Sequence, residues 1–135
     1  MANPDGSSTV LGAGPNLAAL GRGIAVIGHD DTGIETFRST FDSPADADDE
    51  GYALAVSATG HLAVAGWTRV LGQGHDALVL LFDAAGNLVW VATNDGLLHG
   101  SDHATGAAFD GTEVIVSGST FDGTHTSAWI ARFAP

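Results

Sequence analysis

Apolar and polar residues alternate over short segments of this sequence, and glycine-containing turns separate the segments. In the middle of the chain the alternating or apolar segments are residues 52–57, 61–68, 76–83 and 88–93. Short strands at such regular spacing predict an all-β protein. No stretch keeps the 3.6-residue period of a helix, and residues 16–20 are too few to form one.

The four-strand pattern recurs along the chain. Matched positions are Ala55 with Ala107, Val64 with Val116, Gly66 with Gly118, Thr68 with Thr120 and, after a single-residue gap, Ala77 with Ala128, Val79 with Ile130 and Phe82 with Phe133. An earlier, partial copy matches residues 24–28 with 62–66 and residues 36–40 with 89–93, which predicts that it lacks one internal strand. The three copies cover residues 8–41, 50–94 and 102–135.

A four-strand unit of about 50 residues lies in the range of β-propeller blades. Blades stack face to face, so their middle strands are buried on both sides. The apolar runs at residues 77–82 and 114–116 fit this expectation. We therefore predict one domain, residues 1–135, of four-stranded antiparallel propeller blades, with about two and a half blades per chain.

The middle copy also resembles a known family. The segment Phe82-Asp83-Ala84-Ala85-Gly86-Asn87-Leu88-Val89-Trp90, preceded by Leu62-Ala63-Val64-Ala65-Gly66-Trp67-Thr68 and by Gly-Xaa-Asp-Ala at residues 74–77, is similar to the bacterial propeller repeats called SBBP. These repeats occur largely in exported and cell-surface proteins. The resemblance implies a propeller fold and an extracellular or cell-surface location, and it implies no catalytic residues.

Two and a half blades do not close a ring, because closed propellers have roughly four to eight. The third copy stops with residues 127–133, a strand too apolar for an outer edge. Residues 8–12 (Ser-Thr-Val-Leu-Gly) are a β-prone candidate to pair with it, within the chain or from another subunit. We expect the chain to self-associate, and the alternatives are a monomeric β-sandwich or a fragment of a larger protein.

The charge balance limits the partners. The chain has 16 acidic residues against 4 basic ones and a net charge of −12, which disfavours nucleic acid and anionic membranes. It contains no cysteine and no apolar run of the ~18 residues needed to span a membrane. Its first nine residues do not read as a signal peptide, so the protein either stays inside the cell or is a mature or trimmed form.

The acidic segment before the middle copy resembles the start of a calcium loop. Asp46, Asp48 and Glu50 alternate in front of Gly51, and alternating carboxylates converge on a hard cation. Two positions depart from the motif: Glu50 stands where Asp or Asn is usual, and Ser57 stands where the loop ends in Glu. Calcium is the one cofactor the sequence suggests, and a solvated acidic loop is the alternative.

Histidines supply the other candidate chemistry. His29, His75 and His125 follow the second strand of their copies, where propeller loops meet on one face, so they are candidates for a shared ligand site. His99 and His103, with Asp95 and Asp102, have a spacing that suits zinc on a helix. In a loop they are more simply polar turn residues.

The tryptophans divide into two groups. Trp67 follows Gly66 at a strand end, where an exposed indole would stack on a sugar ring, whereas Trp90 and Trp129 lie mid-strand and are assigned to the core. No nucleophile elbow or phosphate-binding loop is present. We therefore predict a non-catalytic binding or structural module that assembles through its blades. The alternatives are a glycan-binding lectin using Trp67, and a hydrolase built on the loop histidines.

Overall fold

The computed structural model describes residues 1–3, 5–15, 21–44 and 47–134, and this part of the chain forms three antiparallel sheets. The first sheet contains β1 (Ser8–Pro15), β2 (Arg22–His29) and β3 (Glu35–Phe41). The middle sheet contains β4 (Asp49–Val56), β5 (Leu62–Arg69), β6 (His75–Phe82) and β7 (Leu88–Asn94). The third contains β8 (His103–Asp110), β9 (Glu113–Phe121) and β10 (Thr126–Phe133). A 3₁₀ turn, Leu97–His99, precedes β8.

The all-β prediction is confirmed. Residues 16–20 lie outside the described residues. In the described part, the strands of each sheet follow one another in chain order, so every pairing is a simple hairpin. None of the described helical segments is long and apolar enough to cross a membrane.

Aspartate side chains that bind the backbone fix three of the hairpin turns, those of β2–β3, β6–β7 and β9–β10. In the β6–β7 turn, Asp83 accepts hydrogen bonds from the backbone N–H groups of Ala85 (2.9 Å) and Asn87 (2.8 Å). The hydrogen bonds from Asn87 and Ala85 hold the pKa of Asp83 below its ordinary value. Gly86 completes the turn at φ 86°, a conformation that favours glycine.

The middle sheet is buried on both faces, as predicted for residues 77–82. One face packs against the third sheet through Ala63, Ala65, Ala77, Val79 and Leu81. The other packs against the first sheet through Leu62, Val64, Leu78, Leu80 and Phe82. In β9 the same prediction was wrong: Val114 and Val116 are buried but Ile115 is partly exposed, because only one face of the third sheet is covered.

The first copy lacks its outer strand rather than an internal one. β3 pairs with β2 in the position that β6 takes beside β5, so the prediction that residues 36–40 match β7 was wrong. Residues 8–12 belong to β1 and pair with β2. They are the first strand of the first sheet, which corrects the prediction that they complete the third.

The third copy repeats the middle one, but its first strand is shifted by one position. Val64 pairs with Leu54, and its counterpart Val116 pairs with Ala107. Leu54, rather than Ala55, therefore matches Ala107. The cause is a shorter turn between β8 and β9 than between β4 and β5. Both copies keep a bulge in the first strand, at Tyr52 and at Thr105.

The number of strands in each sheet sets the direction of the next. The middle sheet has four strands, so β8 starts at the end where β4 and β6 start, and the backbone N–H of Asp102 donates to the carbonyl of His75 (2.6 Å). The first sheet has three strands, so β4 starts where β1 ends. There the N–H of Arg22 donates to the Asp48 carboxylate (3.0 Å). The middle and third sheets thus share one orientation, and the first sheet is reversed.

Candidate functional site

Four ring-bearing side chains meet where the middle and third sheets join: Tyr52, Trp67, His75 and His103, here called the aromatic cluster. The indole N–H of Trp67 donates to the Tyr52 hydroxyl at 2.9 Å. The Trp67 and His75 rings stack with centroids 4.0 Å apart and planes 16° apart. The bulge in β4 and the first residues of β6 and β8 thus supply three of the four rings.

Trp67 is only 7% exposed, so the prediction of an accessible stacking platform was wrong. Its indole lies on the face of the middle sheet that the third sheet covers, where His75 stacks on it and Tyr52 takes its hydrogen bond. A strand end is exposed only when no neighbouring sheet reaches it. Trp90 and Trp129 are partly buried and pack against the apolar core, in agreement with the sequence.

His75 and His103 form the polar centre of the aromatic cluster. Nδ1 of His75 lies 3.1 Å from Nε2 of His103, and the ring centroids are 5.4 Å apart. The distance between the ring centroids equals the distance between the two nitrogens plus the two ring radii. The two nitrogens therefore lie on the line that joins the ring centres and face each other directly. This geometry suits one shared proton. A metal ion would require both lone pairs to converge on a third point.

Burial and charge tune the groups around this pair. Burial lowers the pKa of His103, and so does neighbouring His75, while Asp102 and Glu50 oppose the shift. The pKa of Asp76 is raised, first by burial and then by the carboxylates of Asp95 and Asp102. The carboxylates of Asp102 and Glu50 thus favour protonation of His103, and its burial disfavours it.

Two buried aspartates anchor the loops that lead into the middle and third sheets. Asp49 accepts the backbone N–H of Ser43 at 2.7 Å, and Asp102 accepts that of Gly96 at 2.7 Å. Burial raises the pKa of Asp49, and its hydrogen bonds to Thr68 and Ser43 oppose the shift. The recurring arrangement indicates that Asp102, a zinc candidate in the sequence, holds its loop in place.

The remaining histidine predictions separate in space. His29 lines a cavity of about 590 Å³ between the first and middle sheets, and His125 lines another of about 230 Å³ beside β10. His75 belongs to the aromatic cluster, so His29, His75 and His125 do not form the shared site that the hydrolase alternative requires. His99 binds Asp95 (2.5 Å) and His103 binds His75, so the zinc spacing is not used.

The calcium prediction is only partly covered, because Asp46 lies outside the described residues. Asp48 accepts the backbone N–H of Arg22, and Glu50 forms an ion pair with the Arg22 side chain at 3.6 Å. Among the described residues, no three histidine, aspartate or glutamate side chains converge as metal ligands. A calcium site at Asp46, Asp48 and Glu50 stays a prediction.

Sequence reasoning missed Tyr52 and His103 as members of the aromatic cluster. The signal was faint: Tyr52 is the only tyrosine of the chain, and His103 begins the first strand of the third copy. A comparison with protein-family models and with curated proteins finds no match for this chain. The resemblance to SBBP repeats therefore stays a prediction from the sequence.

Proposed function

We propose that this protein is a non-catalytic module that assembles through its sheets, with its middle and third sheets acting as consecutive propeller-type blades. The observation that carries the proposal is an uncovered surface. The outer face of the third sheet corresponds to the face with which the middle sheet binds the third. Its β10 residues Ala128 and Ile130 keep the apolar character of that face, whereas Ser117, Ser119 and Arg132 replace Ala65, Trp67 and Leu81.

The strand pairings define this repetition. Ile130 of β10 occupies the position of Val79 in β6, and Ala128 occupies that of Ala77. Val79 is 2% exposed because the third sheet covers it, whereas Ile130 is 79% exposed. A repeat unit buries its apolar faces by stacking on neighbours, so a bare face of this kind favours a further sheet.

The edge of the third sheet supports the same conclusion. In the middle sheet, β7 covers the edge of β6, but no described strand covers the matching edge of β10. An unpaired edge strand carrying an exposed isoleucine is a template for association. In contrast, the charged residue of β10, Arg132, is already paired with Glu113 and Asp110.

The partner we propose is a second copy of this chain. A charge of −12 on each copy opposes association, so contact is favoured where carboxylates are scarce, and β10 contains none. Reversal of the first sheet argues against a ring of identical blades from one chain. If two copies pair through their third sheets about a two-fold axis, the assembly is a closed dimer. A head-to-tail contact would instead extend into a filament.

The test is the mass in solution after a charge is placed on this face. Sedimentation velocity at micromolar concentration should show the wild-type protein heavier than its 13.6 kDa monomer. Ile130→Glu should shift it to the monomer. The matched control is Leu71→Glu, which adds the same charge at a loop residue that is 70% exposed, and it should leave the assembly unchanged.

Two results would contradict the proposal. One is a wild-type protein that stays monomeric across the concentration range. The other is an Ile130→Glu variant whose assembly is indistinguishable from that of Leu71→Glu. The extracellular location suggested by the resemblance is a separate hypothesis that this experiment does not address.

A further inference from the structure

The larger cavity lies between the first and middle sheets, at the end where β2 stops and β4 turns into β5. We call it the sheet-junction cavity. Its volume is about 590 Å³, within the range of small-molecule sites. Side chains that define its chemistry are Asn3, Thr9, His29, Thr36, Phe37 and Thr59.

The walls combine an apolar side with many hydroxyl groups. Phe37 and Leu62 supply apolar surface, and the Phe37 ring is fixed between Gly28 and Gly86, where side chains would collide with it. Six of the other lining residues are serine or threonine. Such a mixture suits a ligand that has both C–H surface and hydroxyl groups.

Polar side chains that both donate and accept hydrogen bonds complete the lining. His29 and Thr36 come from the first sheet and Thr59 from the β4–β5 turn, and the Asn3 amide donates to the hydroxyl groups of Ser7 and Thr9. Imidazole and hydroxyl groups can each donate or accept a hydrogen bond, so they suit a ligand that carries several hydroxyl groups.

Charge at the rim selects against anions. Asp5 and Asp30 line the cavity, and hydrogen bonds from Ser7 and Thr32 lower the pKa values of these two carboxyls, so both are ionised at neutral pH. The described lining contains no arginine to pair with an acidic ligand. Uronic acids and sugar phosphates are therefore disfavoured.

We propose that the sheet-junction cavity binds an uncharged sugar, with its C–H face against Phe37 and its hydroxyl groups on His29 and Thr36. The proposal does not depend on self-assembly. It places sugar binding at a site distant from the buried Trp67, on residues that the sequence did not connect with one another.

The experiment is an amide-resolved NMR titration of the full chain with glucose, galactose, mannose and N-acetylglucosamine, each compared with glucuronate. At least one neutral sugar should give saturable shifts at Gly28 and at residues 57–60. Glucuronate should bind about tenfold more weakly or not at all, because the rim is negative. Saturable shifts from glucuronate of equal strength would overturn the charge argument.

Variants locate the site. His29→Ala and Thr36→Val should each weaken the sugar response about tenfold, as expected when a hydrogen-bonding partner is lost. Thr36 is exposed on β3, and valine has the same shape as threonine, so Thr36→Val should fold normally. It keeps the test valid if His29→Ala fails to fold. The control is His125→Ala in the other cavity, which should bind as the wild type does. No saturable response to any of the four neutral sugars, or equal binding by all variants, would refute the proposal.

Discussion

Replacing Gly66 by alanine should lower the free energy of unfolding by about 3 kcal/mol, the upper end of the usual range for overpacking. A Cβ atom at this position would lie 2.0 Å from the carbonyl oxygen of Glu50 and 2.9 Å from Cα of Gly51. Both are backbone atoms of β4, so no side-chain rotation relieves the collision. The β4–β5 pairing would have to separate at the bulge that carries Tyr52.

Urea unfolding measures this effect, and Gly12→Ala is the matched control. Gly12 lies within β1, where an added Cβ meets nothing within 4 Å. Alanine there should be neutral or stabilising by up to about 1 kcal/mol, because it removes the flexibility of glycine from a strand. If both variants unfold at the same urea concentration, the close approach of β4 to Gly66 is not a feature of the folded protein.

The sequence predicted the recurring glycine but not the strand bulge that it faces. Gly66 and Gly118 match in the repeat, and a Cβ at Gly118 would likewise lie 2.2 Å from a backbone oxygen, that of His103. The recurrence of the glycine was visible because it is a residue identity. The bulges opposite it were not, since a bulge is set by how two strands pair and requires no particular side chain at Tyr52 or Thr105.

The mistaken match of β3 to β7 has a physical reason. Both are edge strands in which outward residues such as Arg38 and Val91 are exposed while alternate residues are partly covered. An edge strand shows the same pattern whether it is third or fourth in its sheet. The alternation of apolar and polar residues therefore identified the strands but not the number of strands in each sheet. The reversed orientation of the first sheet depends on that number.

The site was less predictable than the fold. Trp67 and His75 were both selected, but for separate sites: Trp67 as an exposed residue at a strand end and His75 as a loop residue. They contact each other because β5 and β6 are neighbours, and they are buried because β8 of another sheet brings in His103. A contact between sheets depends on packing angles that hydrophobic periodicity does not contain. The same holds for the sheet-junction cavity.

Acidification should destabilise the protein through the His75–His103 pair. The two rings face each other through Nδ1 of His75 and Nε2 of His103, 3.1 Å apart, so one of these nitrogens must accept the hydrogen that the other donates. Burial and the neighbouring His75 both lower the pKa of His103. Placing a charge on His103 inside the aromatic cluster is therefore costly.

The direction follows from the lowered pKa of His103. In the unfolded chain this histidine takes up its proton near pH 6.5, whereas in the folded protein it does so only at lower pH. Between these two values the unfolded state binds more protons. Stability is therefore fully present above about pH 6.5 and decreases as pH falls toward the folded pKa, with a slope of at most about 1.4 kcal/mol per pH unit.

Denaturant unfolding between pH 7.5 and 5 should isolate this effect by comparison with His103→Phe, which keeps an aromatic ring and removes the titration. Raised pKa values at Asp49 and Asp76 act in the opposite direction, but they are common to both proteins and cancel in the difference. We expect a flatter pH profile in His103→Phe, and the profile of the exposed control His125→Phe should follow the wild type. An NMR titration in which the His103 ring protonates at or above pH 6.5, or equal pH profiles for the wild type and His103→Phe, would show that protonation of His103 does not destabilise the folded protein.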